Sequence, residues 1–438
     1  MKCGRGCPLK KPAFAILSVI ILLGILMVCS VKYEGSAVAL AEGNLQPVVY
    51  VPINITNTQS IATPNPFQVM VQVDSTEYTA YEAADLSNIA FTYPNGTVIP
   101  SWLESGNSNT STDTMYWLKI GSIPATSSIT INMAFYPTTD NVLNNETTGE
   151  APTLSPSYGQ YDDGANVFIL YGDFNNSLGG WQASGFQGSF TPAPSSSGVE
   201  MLNGKNTALG TEATFLTPPM ELPSTPIIVE EGWDYRNGSL YYGYVEPAAD
   251  AISIGPSTSE TLIASNSDAP VLNNSASAIF NYGTSGYTDL YDFTTGSQVS
   301  SSSFTGPGSF SVISFLETNG TWASAGYLTQ YVSLEDFGSA QPISVVSGPV
   351  SNVLSSPAVV ISAAASVAVY PTYEFVRWAI ARAFPPNGVA PSVTVGSVTA
   401  VPEFPSVVIL ALFMTVTLTA VIVYRRKHPF ARYLEKAQ

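Results

Sequence analysis

The chain is predicted to be all-β, built as two sandwiches between two membrane-directed ends. Three observations predict this. Apolar residues recur with period two over several short segments. Turn chemistry separates those segments, and no amphipathic helical period breaks them. An uncharged stretch from Ser406 to Tyr424, followed at once by Arg425, Arg426 and Lys427, reads as a transmembrane helix with a cytoplasmic basic stop.

The first sandwich is expected over 45–149. Val49, Val51, Ile53 and Ile55 alternate with Tyr50, Pro52, Asn54 and Thr56. Phe67, Val69, Val71 and Val73 form a second such run, and Ile129, Ile131, Met133 and Phe135 a third. Alternation of this kind buries one face of each strand. Pro94-Asn95-Gly96-Thr97 is a turn between runs. Several short strands punctuated this way predict a β-sandwich.

Residues 150–165 are rich in Pro, Ser, Gly and Asp and read as a linker. A second β domain is expected over 166–397, opening with Val167 to Phe174 and Trp181. Asn237-Gly238 and Asn319-Gly320 are hairpin turn pairs within it. The apolar stretch Val359 to Tyr370 is too short and too Val- and Ala-rich for a membrane span and reads as buried strand.

Two resemblances bear on these blocks. Gly96-Thr97 through Pro100-Ser101-Trp102-Leu103-Glu104 to Trp117-Leu118-Lys119-Ile120, then Ala134-Phe135-Tyr136, resembles the domain-of-unknown-function 2341 family. The closing Glu374-Phe375-Val376-Arg377-Trp378 and Pro391 to Gly396 resemble the end of that family's second unit, with Glu374 where an Asp is usual. The resemblance implies a β-sandwich followed by a concanavalin A-like jelly roll, and no activity. Val401-Pro402-Glu403-Phe404-Pro405, ahead of the apolar helix and basic cluster, resembles the archaeal PEF-CTERM sorting signal over 398–405. That resemblance implies processing near Pro402, Glu403 and Phe404 by an archaeosortase. The tail beyond Lys427 is longer than usual for such signals.

Residues 1–41 carry Lys2, Arg5, Lys10 and Lys11 before an uncharged run, the pattern of a signal peptide or signal anchor. Ala37-Val38-Ala39 offers small residues for cleavage. The expected location is the cell membrane, with the ectodomain outside, the helix 406–424 spanning and the tail 425–438 inside. The chain is single-pass, or two-pass if the first helix is uncleaved.

Charge narrows the function. Lys and Arg number 15 against 32 Asp and Glu, a net −17. Between Glu42 and Pro402 the basic residues are Lys119, Lys205, Arg236, Arg377 and Arg382 alone, whereas all acids but Glu34, Glu403 and Glu435 lie there. Such a segment does not bind nucleic acid. The same segment has no Cys and no His, which excludes Ser-His-Asp and Cys-His catalysis and His or Cys zinc ligation. Polarity comes from neutral side chains, whose hydration is independent of pH, and this suits an acidic exterior. The eight sequons at Asn54, Asn95, Asn109, Asn145, Asn175, Asn237, Asn273 and Asn319 all lie in this segment as glycosylation candidates.

The expectation is therefore a non-catalytic surface protein of adhesion type that binds glycans or envelope components. Trp233, Tyr235, Tyr241 and Trp322 are the candidate ring-stacking residues, with core packing as the competing role. One alternative is a purely structural envelope subunit. Another is a glycosidase using Glu230, Glu231 or Asp234, against which stands their strand spacing: Glu231 and Asp234 fall on opposite faces. No cofactor is expected. Structural calcium through Asp162, Asp163, Asp289 or Asp292 has suitable oxygen ligands but no binding motif.

Overall fold

The structure is a computed structural model. It describes residues 46–427 apart from 145, 153, 155–160, 188, 204–210, 225, 238–247, 257–260, 266–268, 283–285, 305–309, 319–320, 330–341, 350–353, 355, 367–371 and 401–405. The signal segment 1–41, the motif Pro402-Glu403-Phe404 and the tail from His428 lie outside the described residues.

Alternation becomes strand as expected. Val49–Asn57 buries Val49, Val51, Ile53 and Ile55 and turns Asn54 outward. It pairs antiparallel with Ser127–Phe135, which in turn pairs with Ile89–Thr92. The facing sheet joins Phe67–Val73, Thr114–Ile120, Ser101–Ser105 and, in parallel, Thr148–Glu150. Val51, Ile53, Phe91, Leu118 and Met133 fill the space between the two sheets at 0% exposure. Burial on this scale offsets the ordering entropy of the strands without disulfides.

The second sandwich has a seven-stranded and an eight-stranded sheet. Ala358–Ser366 is central in the first of these, flanked by Thr211–Thr217 and Ala248–Gly255. Thr372–Ala383 and Ile227–Asn237 are central in the second. Trp233 from one sheet meets Phe280 from the other edge-on, with ring centres 5.6 Å apart. Ala358–Ser366 is strand, buried from Ala358 to Ala365, as expected for the first part of the Val359 stretch; residues 367–370 lie outside the described residues. The strands flanking Asn319-Gly320 pair as a hairpin, Glu317 opposite Ala323.

Two expectations change. The first is the boundary at 397. Ser392–Val395 and Thr399–Ala400 pair with Val49–Asn57, so the last strands complete the first sandwich. Alternating Val393 and Val395 fit the face that Val49–Asn57 leaves open, which sequence distance conceals. The second is the linker 150–165. Glu150 ends a paired strand, and Asp163 is buried. The turn at Asn237-Gly238 ends the described part of Ile227–Asn237, which pairs with Phe310–Glu317 and Thr372–Ala383; the expected return segment, within 238–247, lies outside the described residues.

The sandwiches share a joint. Trp102, Trp117, Phe168, Trp378 and Ile380 form one buried cluster. Gln68 donates from Nε2 to Val167 O at 3.1 Å and accepts from Ala383 N at 2.9 Å. Within the first sandwich, Tyr78 donates its hydroxyl to Gly396 O at 3.0 Å.

Backbone over Ser406–Lys427 is helical for 22 residues. Side chains are described there only for Phe413–Tyr424, and they are exposed. Within the described residues, no helix is long and apolar enough to cross a membrane.

Candidate functional site

The most unusual chemistry lies between the sheets of the second sandwich. Ile227–Asn237 alternates Val229, Glu231 and Trp233 on its inner face, and all three are at most 1% exposed. In Ala248–Gly255, Asp250 shares the parity of Ile252 and Ile254, both in the inter-sheet core. In Thr372–Ala383, a bulge moves the register from Gly232 opposite Trp378 to Trp233 opposite Val376. The skipped residue, Arg377, flips the alternation. Glu374 and Val376 thereby face inward together with Ala379 and Ala381, while Trp378 and Ile380 face the joint.

Strand pairing brings these acids together from distant sequence. Glu374 lies opposite Tyr235 and Leu202, and Asp250 lies opposite Phe280 and Ala363. Glu231, Asp250 and Glu374 are 1%, 1% and 0% exposed. Both carboxyl oxygens of Glu231 lack a hydrogen-bond partner. As two carboxylates, Asp250 and Glu374 would both be acceptors, with nothing to donate between them. A hydrogen bond between them requires a proton on one, and both oxygens of Asp250 otherwise lack a partner. Burial, then the charge of Glu374, pushes Glu231 well above the usual carboxylate range. Asp250 is pushed well above it by burial, then by Glu374 and Glu231. Each ionised carboxylate in such a site costs several kcal/mol.

The expected glycosidase residues are divided by the sheet. Glu230 and Asp234 face the opposite side from Glu231. Arg382 reaches Glu230 at 2.7 Å, and Arg377 lies 3.6 Å from Asp234. Burial raises Glu230, opposed by the charge and hydrogen bonds of Arg382. Glu231 has no route to a polysaccharide at 1% exposure.

Trp233 is corrected as a ligand candidate. It is 0% exposed and packs on Phe280, because its strand is central and its inner face is core. Tyr235 and Trp322 lie in strands, but their side chains, like all of Tyr241, lie outside the described residues. Asn54, Asn95 and Asn175 are exposed, whereas Asn109 and Asn273 are half-buried. Asn95 accepts from Thr97 N at 3.0 Å in its turn. Asn145, Asn319 and the side chain of Asn237 lie outside the described residues.

The calcium candidates are engaged separately. Asp162 accepts from Trp102 Nε1, Gly164 N and Tyr171 OH at 2.9, 3.0 and 2.9 Å. Burial, then Asp162, lifts Asp163 to about 8. Asp289 accepts from Gln298 at 2.6 Å, and Asp292 accepts from Thr294 N at 2.9 Å in a turn. Among the described residues, no group of three His, Cys, Asp or Glu is placed to hold a metal ion.

Sequence reasoning missed Asp250 and the role of Glu374. A signal was present: an acid at an apolar parity within Ala249-Asp250-Ala251-Ile252-Ser253-Ile254.

No protein-family model matches the chain. Over 211 residues it is 33% identical to "Uncharacterized protein 562" of Sulfolobus islandicus rod-shaped virus 1, covering 46% of this chain and 36% of that one. The match thus spans about a third of the relative's length. Among solved structures, a legume lectin-like domain from Entamoeba histolytica is similar at TM-score 0.33 and 7% identity, covering 49% of this chain and 97% of that one. The VIP36 exoplasmic/lumenal domain in its Ca2+-bound form is similar at TM-score 0.34 and 6% identity, over 52% of this chain and 97% of that one. Lectin II from Ulex europaeus is similar at TM-score 0.33 and 7% identity, over 49% and 99%. Superpositions this loose leave the architecture resting on the chain's own strand pairing.

Proposed function

We propose that the chain is a non-catalytic surface protein, two joined β-sandwiches held at a membrane by the helix Ser406–Lys427. The second sandwich is read as a concanavalin A-like jelly roll, and its ligands as glycans or other envelope components. The observation that supports anchoring is the helix itself. Phe413, Met414, Val416, Leu418, Val421 and Ile422 are between 49% and 71% exposed. Large apolar side chains exposed along a helix have lipid as their natural solvent. The backbone is helical over 22 residues, a rise of about 33 Å.

The non-catalytic part is supported by chemistry. The segment from Glu42 to Pro402 has neither Cys nor His, and the inner carboxylates Glu231 and Asp250 are sealed from solvent. Glycan binding is supported by the neutral polar surface, and it now leans on Tyr235, Tyr241 and Trp322, since Trp233 is core. Where the Pro402-Glu403-Phe404 signal is used, an archaeosortase exchanges this helix for another anchor, and the protein stays at the surface.

Membrane fractionation tests the anchor. Full-length protein should stay with membranes through a high-salt wash, and a chain ended after Ala400 should be soluble. Release of the full-length chain by salt would overturn the reading. A glycan array with detergent-solubilised protein tests the ligand class. Binding to no glycan would leave the structural envelope subunit.

A further inference from the structure

Acids gathered between sheets need something to compensate them. The groups that face the space around Glu231, Asp250 and Glu374 can be named strand by strand. Gly198–Asn203 contributes Val199, Met201 and Leu202. Thr211–Thr217 contributes Leu216, Thr214, whose hydroxyl donates to Met201 O, and Glu212, which is 1% exposed and accepts from Asn203 N at 3.4 Å. Ala276–Tyr282 contributes Ala276, Ala278 and Phe280, and Ala358–Ser366 contributes Val359, Ile361, Ala363 and Ala365. Gly286–Asp292 contributes Leu290 and, at its far end, Asp292, whose Oδ1 caps a turn. Phe310–Glu317 contributes Leu316, while Glu317 lies on the other face toward Arg382 and Glu230.

No described side chain in this set is a cation. Arg377 and Arg382 lie on the far face of the sheet, engaged by Asp234 and Glu230. Lys205 and the side chain of Arg236 lie outside the described residues. Among the described residues, the inward-facing ionisable groups of this set are thus acids alone.

We infer that Glu231, Asp250 and Glu374 form a proton-binding site that locks the two sheets of the second sandwich: the sandwich is closed while they hold protons and loosens when they ionise. One proton turns Asp250 and Glu374 into an acid–carboxylate pair. A second on Glu231 removes the charge beside it, and its unpartnered oxygens become a neutral buried acid. The strong upward shifts of Glu231 and Asp250 agree with this arrangement. Raised folded-state values mean the stabilisation is fully present below the ordinary carboxylate range and is lost as pH rises through the folded values. The protein is thereby built to be firm in acid and to open on neutralisation. The inference does not depend on the glycan reading.

A hard divalent cation, which binds carboxylate oxygens, is the rival to be excluded, although among the described residues no group of three acids is placed to hold one. Thermal unfolding of the full-length chain in detergent, at pH 4, 6 and 8, with calcium or with EDTA, separates the two. The wild type should lose roughly 5–10 °C of midpoint from pH 4 to pH 8, with no response to calcium or EDTA. The double variant Glu231→Gln/Asp250→Asn should lose a clear part of that slope, the rest belonging to the raised acids Glu82 and Glu150 of the first sandwich. An unchanged slope in the double variant overturns the inference. So does calcium restoring the wild-type midpoint at pH 8, which would make the cluster a cation site. Hydrogen exchange of the wild type gives a readout free of the variants. After correction for intrinsic rates, Ala248–Gly255 should lose about tenfold more protection than Val49–Asn57 between pH 6 and pH 8. Equal loss in both strands, or loss in neither, overturns it.

Discussion

Arg382 donates from Nε and Nη2 to a single oxygen, Oε1, of Glu230, at 3.0 and 2.7 Å. The pair lies on the face of the second sandwich that meets the first, and the Arg382 guanidinium stands 5.4 Å from the centre of the Trp117 ring. Sheet pairing places them: Arg382 is opposite Ile228 and Glu230 opposite Ile380 on adjacent strands. One arginine thus neutralises a carboxylate at 1% exposure and touches an aromatic of the other sandwich.

Arg382→Ala should therefore destabilise strongly at neutral pH. It leaves Glu230 buried without its cation, a loss of about 3–5 kcal/mol. The cost should shrink in acid, where Glu230, raised by burial, takes a proton instead. Thermal melts at pH 4 and pH 7 check this. A variant that melts with the wild type at pH 7 would show that the ion pair carries no stability.

The first sandwich should also gain stability in acid. Burial, aided by the charge of Asp74, raises Glu82 to about 8. Burial and then Asp85 raise Glu150 to about 7. Both values lie above the ordinary carboxylate range. Their contribution is full below about pH 4.3 and is lost as pH rises through about 7 to 8. Glu82→Gln should raise the midpoint at pH 8 by several degrees and leave that at pH 4 within about 2 °C. A variant less stable than wild type at pH 8 contradicts this assignment.

Trp233→Ala should cost about 3–5 kcal/mol, because the ring fills the inter-sheet core against Phe280. Trp233→Phe keeps much of that contact and should cost less. Any loss of glycan binding should track loss of fold across the two variants. A folded Trp233→Phe protein without glycan binding would return the residue to the ligand site.

Processing at the Pro402-Glu403-Phe404 signal predicts a mature protein without Ser406 to Gln438. Mass spectrometry of the surface form reads this directly. Tail peptides containing Tyr433 in mature protein would reduce the motif to a hinge before a retained helix.

Protease added outside intact cells should digest the 48–396 region, because the basic residues after Tyr424 keep the tail inside. Digestion only after lysis would reverse the topology.

Much of the local structure followed from the sequence by itself. The alternation in Val49–Asn57, Phe67–Val73 and Ser127–Phe135 is strand with one buried face. Asn319-Gly320 stands between paired strands, Val359 begins a core strand, and Ser406–Lys427 is helical. These features are local: period two, turn dihedrals and a run of uncharged residues are each set within about ten positions. The carboxylate site is not local. Glu231, Asp250 and Glu374 stand on three strands in two sheets, and a bulge at Arg377 decides that Glu374 faces inward. The same holds for Ser392–Val395, which crosses the whole chain to pair with Val49–Asn57. Alternation tells which residues share a face. Only the pairing of distant strands decides what that face meets, because backbone hydrogen bonds have the same geometry for any partner and side-chain packing makes the choice.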